Sequence, residues 1–250
     1  MIKEDLGEGI IRYVFGPAKE GQNFANTIIA IVDEEKAILL DLAFLDQASE
    51  VIKDLESKGI TVESAIASHF HYDHVKGATA LPKNTPIYGS ELFDQTLNEN
   101  DQKIYAPTIL VTKPQTIIFG KHKIELIPFG GHSVCSLITK INDKYIHIAD
   151  EIMRANSGEL LLPVLNGLKE IKRQIKALEE LKKYSGLFII PAHGPIIEQS
   201  KLEIYIKNIT IYLQAVLDAN GEISYEEAIK GCDCIFLQEN WHSINCRQNL

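Results

Sequence analysis

The chain has 250 residues, 45% of them apolar and 24% charged, with a net charge of −9. That composition excludes a disordered, collagen-like or coiled-coil protein and suits one mixed α and β domain, alone or with a small appendage. No apolar run reaches the ~18 residues of a membrane span, and the acidic balance repels phosphate backbones, so membrane and nucleic acid are disfavoured partners. The opening residues Met1–Glu8 carry no apolar core of a secretory leader, which predicts a cytoplasmic protein. Cys135, Cys232, Cys234 and Cys246 do not make a disulfide framework in a chain of this length.

Strand-like runs come first, at Gly9–Phe15, Thr27–Val32 and Ala37–Asp41. The Gly16–Asn23 connection fits a flap over a site and a plain hairpin loop equally well. Asp46–Lys58 reads as a helix with Val51, Ile52 and Leu55 on one face and Gly59 as its stop. Ser64–Ser68 reads as a short strand, and Ser90–Asn98 as a capped helix. Strands follow at Thr116–Phe119, Lys123–Phe129, Leu137–Ile141 and Lys144–Ala149, the last two flanking an Asn142-Asp143 hairpin turn. Asn166 is expected to cap a long helix carrying Leu168, Ile171, Ile175, Leu178 and Leu181 and ended by Gly186. Leu187–Ile190 is a buried strand and Ser200–Asp218 a second long helix. Ser224-Tyr225-Glu226-Glu227 matches a capping box. This order fits two sheets with helices outside better than one doubly wound sheet. A boundary near Glu198 divides a 1–197 domain from a 198–250 helical extension packed on it.

The chemistry concentrates at His69-Phe70-His71-Tyr72-Asp73-His74, just past a strand. Neutral imidazole and carboxylate suit zinc, and also iron or manganese. Side chains two apart in extended chain point the same way, so His69 and His71 can grip one ion. Asp73 and His74, past the turn, can face a second. His132, Asp150 and His193 each follow an apolar run beside small residues, where a sheet presents functional groups. Together with the cluster they complete two coordination spheres.

These motifs resemble the metallo-β-lactamase superfamily. Its five motifs stand in order: Leu39-Leu40-Asp41, the His69–His74 cluster, Gly131-His132-Ser133, Asp150, and Ala192-His193-Gly194. The resemblance spans about residues 9–197. It implies an α+β fold, the four-layer αββα sandwich, and two divalent metal ions, zinc first. His69, His71 and His132 would hold one ion, and Asp73, His74 and His193 the other. Asp150 would bridge them, and Asp41 would orient a ligand histidine through a hydrogen bond. The implied activity is hydrolysis of a small carbonyl ester, thioester or lactone by a hydroxide shared between the ions, with Asp73 handling its proton.

His71 argues against the diiron flavoprotein branch, and Asp150 stands where true lactamases carry cysteine. The glyoxalase II-like and lactonase-like branches remain. Ser133-Val134-Cys135 and Val75-Lys76-Gly77 depart from the glyoxalase II pattern. Phosphodiesterase or nuclease chemistry on the same centre, and a metal-bearing scaffold without activity, are the alternatives. Tyr72 and Tyr105 fit packing or surface roles better than substrate contact, and Cys135 reads as a small buried thiol. Cys232, Cys234, His242 and Cys246 are enough donors for a zinc site, but their spacing matches no standard knuckle. Trp241 reads as a packing anchor or part of a subunit contact. The partner is a small-molecule substrate. The two long C-terminal helices would cover the sandwich or build a homodimer.

Overall fold

Apolar and β-branched runs become strands where the sequence places them, and those strands form two sheets, one of seven and one of five. The computed structural model describes residues 1–17 and 23–248. Most of the Gly16–Asn23 connection lies outside these residues. The chain divides into two units, Met1–Phe129 with Val134–Lys144, and Gly130–Ser133 with Tyr145–Leu250.

In the first unit, β1 (Ile2–Gly7), β2 (Ile10–Val14), β3 (Thr27–Asp33) and β4 (Lys36–Leu40) pair antiparallel in sequence order. The connection then changes character. α1 (Leu45–Glu56) crosses over to β5 (Thr61–Ile66), which lies parallel to β4 with Leu40 opposite Ile66. α2 (Tyr72–Val75), β6 (Ile87–Ser90), α3 (Glu99–Tyr105) and β7 (Ile109–Val111) follow, and β6 and β7 extend the parallel half. Parallel strands release their C-terminal ends at one edge, the usual place for a site on such a sheet. Asp41 leaves β4 and His69 leaves β5 there.

Both faces of β3 and β4 are buried, which explains their continuous apolar sequence. One face packs Tyr13, Ile28, Ala30, Leu39 and Ala65 with Val51 and Leu55 of α1. β8 (Gln115–Phe119), β9 (His122–Pro128) and β10 (Leu137–Ile141) form an antiparallel meander. Asn142 and Asp143 both adopt left-handed backbone, φ 55° and 52°, as a two-residue hairpin turn demands.

In the second unit, β11 (Tyr145–His147) runs parallel to β12 (Phe188–Ile190), with α4 (Leu168–Leu181) between them in sequence. α5 (Gln199–Asp218), α6 (Tyr225–Ala228) and α7 (His242–Asn245) complete it. Asp150 and His193 therefore leave two neighbouring parallel strands at the same edge. Among the described residues, no helix is long and apolar enough to cross a membrane.

Local details differ from the sequence expectation. The helix expected over Ser90–Asn98 is displaced: Asn98 starts α3 rather than ending a helix, accepting from the amides of Asn100 and Asp101. Its side chain is the stronger start signal. Gly167, at φ 95°, precedes α4 in place of Asn166, whose own amide donates to Glu170. Only Gly takes that φ without strain. The strand expected to reach Ala149 stops at His147, because Ala149 itself is left-handed at φ 50°.

Candidate metal centre

The change of backbone inside the six-residue motif separates its donors. The chain stays extended through His71 (φ −70°, ψ 152°) and then turns into α2. His69 and His71 thus project from extended chain, while Asp73 and His74 stand on a helical turn. His69 Nε2 lies 3.0 Å from His71 Nδ1. Two nitrogens bound to one tetrahedral zinc at ordinary lengths sit about 3.3 Å apart, so this pair fits one ion.

Asp41 is buried, with left-handed backbone at φ 58°. Its Oδ1 accepts from the Ser68 amide at 2.7 Å and its Oδ2 from the Ser68 hydroxyl at 2.9 Å. Oδ2 also lies 2.9 Å from His74 Nδ1. A carboxylate there favours the Nδ1–H tautomer and turns the Nε2 lone pair toward Asp73, whose Oδ1 is 3.8 Å away. Sequence reasoning anticipated Asp41 but missed Ser68, which also reaches His69 Nδ1 at 3.2 Å.

In the second unit, Asp150 sends one oxygen toward each of two histidines. Oδ2 is 3.8 Å from His132 Nε2 and Oδ1 is 3.5 Å from His193 Nε2. All three residues are buried. These separations suit ligands that share ions. Within the first unit the ligand atoms of His69 and His71, and those of Asp73 and His74, lie within 4.8 Å of one another, and within the second so do those of His132 and Asp150. Five imidazoles and two carboxylates, with no thiolate, form a donor set for a divalent ion of the zinc, iron or manganese kind. The donors therefore fit the implied metal.

Other candidates fall elsewhere. Tyr72 is 47% exposed, and its hydroxyl donates to Asp101 at 2.8 Å. The Asp101 carboxylate holds that hydroxyl above its ordinary pKa range. Tyr105 packs against the first unit's core. Cys135 is fully buried, 3.3 Å from the Thr96 hydroxyl. His242 has both ring nitrogens engaged, with the Tyr212 hydroxyl at 3.0 Å and the Ile223 carbonyl at 2.9 Å. Cys232, Cys234, His242 and Cys246 form no metal-ligand group among the described residues.

Two further residues shape this site without any motif to mark them. Glu151, next to Asp150, is buried and takes the amide of His132. Arg154 donates to the carbonyls of Pro195 and Ile196 at 3.0 and 3.2 Å, just past His193. Their only sequence signals are indirect: Gly131 and Gly194 leave room for them. A Cβ on Gly131 would stand 1.9 Å from Glu151 Oε2, and one on Gly194 would stand 2.5 Å from Arg154.

Residues 21–89 match the family model described as the metallo-beta-lactamase superfamily. The lactamase-like protein nscB of Aspergillus fumigatus is 24% identical over 174 residues, 68% of this chain and 48% of that protein. A protein of the same name from Neosartorya fischeri matches equally, at 24% identity over the same shares. The chain thus spans about half the length of the curated relatives it matches. Among solved structures, DIM-1 metallo-beta-lactamase superposes with a TM-score of 0.69 at 17% identity, covering 84% of this chain and 95% of that one. The metallo-beta-lactamase from Pontibacter korlensis gives 0.69 at 17%, covering 85% and 98%. These likenesses establish the fold.

Proposed function

We propose, from the premise that the chain belongs to the metallo-β-lactamase superfamily, that it is a metal-dependent hydrolase of a small carbonyl ester, thioester or lactone. The glyoxalase II-like and lactonase-like branches are the nearest in motif. The observation that carries this reading is Asp150, which sends one carboxylate oxygen toward His132 and the other toward His193. A residue so placed would be able to contribute one oxygen to each of two ions.

In this reading His69, His71 and His132 would hold one ion, Asp73, His74 and His193 the other, and Asp150 would contribute to both. When bound, divalent ions supply a water of lowered pKa and polarise the substrate oxygen, with zinc the first choice. The chain's own groups do the rest. Asp41 fixes the tautomer of His74. Burial of His69, His74, His132 and His193 limits competing water. Asp73, whose side chain is 29% exposed, takes the attacking water's proton at a carboxylate oxygen. The water oxygen bonds to the carbonyl carbon, the C–O or C–S bond breaks, and Asp73 returns the proton to the departing oxygen or sulfur.

The test is a hydrolysis panel on zinc-loaded protein: acyl-thioesters, lactones, aryl esters, a β-lactam and bis-nitrophenyl phosphate. Turnover of one carbonyl class, lost on chelation and in His71→Ala, is expected. Equal turnover by His71→Ala overturns the reading, and turnover of the phosphodiester alone replaces it with phosphodiester chemistry.

A further inference from the structure

The geometry points to Glu151, beside Asp150, and Arg173, on α4, as positioning residues that set the aim of His132. This rests on the metal-centre reading above and adds two residues to it. The His132 amide donates to both carboxylate oxygens of Glu151, each at 3.1 Å. From the other direction, Arg173 Nε donates to the Gly131 carbonyl at 2.8 Å and its Nη2 to the His132 carbonyl at 3.2 Å. The His132 N–H is therefore held by an anion, and the carbonyls of Gly131 and His132 by a cation. Charge-assisted bonds of this kind are stronger than neutral ones, and the guanidinium fork fixes direction as well as distance.

The grip is anchored by the next residue of the same helix. Gln174, buried, donates to the Glu151 backbone carbonyl at 2.9 Å. Arg173 and Gln174, consecutive on α4, thus hold the His132 loop and the Glu151 backbone in one register. Gly131 completes the device, because a Cβ there would stand 1.9 Å from the Glu151 carboxylate. A buried glutamate beside Asp150 would otherwise be an expensive way to fill space. Its place is explained by the loop it orients.

The device predicts a specific pattern in the full-length protein. Cobalt(II) is titrated into metal-free protein and its visible absorption recorded, with melting temperature as a control. Glu151→Ala and Arg173→Ala are expected to weaken binding of the ion that His132 would hold by roughly 10–100-fold and alter the cobalt spectrum. Glu151→Gln, which keeps an acceptor oxygen for the His132 amide, is expected to recover most of that loss. Gly131→Ala is expected to mimic Glu151→Ala, and the double variant to be no worse than either, since both act on one contact. Wild-type spectrum and affinity in both Glu151→Ala and Arg173→Ala would overturn the assignment.

Hydrogen exchange of the His132 amide in metal-free protein provides the second readout. Exchange at least about tenfold faster in Glu151→Ala, with melting unchanged, supports the grip; unchanged exchange overturns it. If the wild-type protein takes up no cobalt, the proposed function fails, and the exchange result alone then decides the positioning role.

Discussion

Asp41 and His74 meet at 2.9 Å, Oδ2 to Nδ1, across 33 residues of sequence. The same carboxylate also holds Ser68, so one buried group sets His74 and the entrance to the His69–His74 motif together. Asp41→Ala is expected to lower zinc affinity by roughly 10–100-fold, the usual effect of losing a partner behind a ligand imidazole. A competition titration against a chromophoric chelator measures it, and unchanged affinity would show that His74 keeps its orientation without help.

Gly77 is required where the ligand motif ends. A Cβ there would lie 1.9 Å from the Leu42 carbonyl oxygen, in the turn that follows Asp41. That turn is further tied by the Leu42 amide to His74 and the Gly77 amide to Ala43, both at 2.9 Å. Gly77→Ala must displace backbone, so a loss of about 1–3 kcal/mol is expected. Urea unfolding checks the stability, and zinc affinity is expected to fall with it.

Arg154, 7% exposed, takes its place on the His193 side. It donates to the carbonyls of Gly158, Pro195 and Ile196. Arg154→Ala leaves several of these carbonyls poorly satisfied and is expected to cost about 2–4 kcal/mol. Because His193 precedes the held segment, the variant is expected to lose metal as well. Thermal melts with and without added zinc separate the two effects.

Asp54 links α1 to the N-terminal strands. Tyr13 donates to it at 2.8 Å, Lys58 at 2.9 Å, and Lys3 bonds it too. Burial alone would raise its pKa, but these donors outweigh burial and lower it to about 2. An unfolded aspartate titrates near ~3.9. The folded value is the lower one, so the ionised carboxylate stabilises the fold above that pH, and the contribution disappears as pH falls through about 2. Asp54→Asn is expected to cost on the order of 1 kcal/mol at pH 7, and the difference from wild type to close between pH 4 and 2. Denaturant midpoints across that range give the result; a constant gap would show the charge is irrelevant.

The residues of the candidate metal centre were legible in the chain because their chemistry is dense and ordered. His69, His71, Asp73, His74, His132, Asp150 and His193 are all donors that stand just past apolar runs, and strand ends are where a sheet exposes them. α1 and α5 were legible because each carries a clear apolar face ended by turn or small residues. α3 was misplaced because Asn98 was read as the end of a helix, although its side chain is a start signal that accepts the amides of Asn100 and Asp101. β1 went unread because Ile2–Gly7 has no buried residue and carries charged residues, so no apolar alternation marks it.

Residue type and spacing by themselves pointed to the candidate donors, the mixed strand–helix order and the superfamily resemblance. Tertiary structure decided which groups hold those donors still. Ser68, Glu151, Arg154 and Arg173 are ordinary polar residues in the sequence, and each earns a role through a hydrogen bond to a backbone or side chain that folding brings near. The physical reason is range: periodicity and capping act over a few residues and leave a local imprint. A buried carboxylate gripping an amide 19 positions away leaves its imprint only on the glycine that makes room for it.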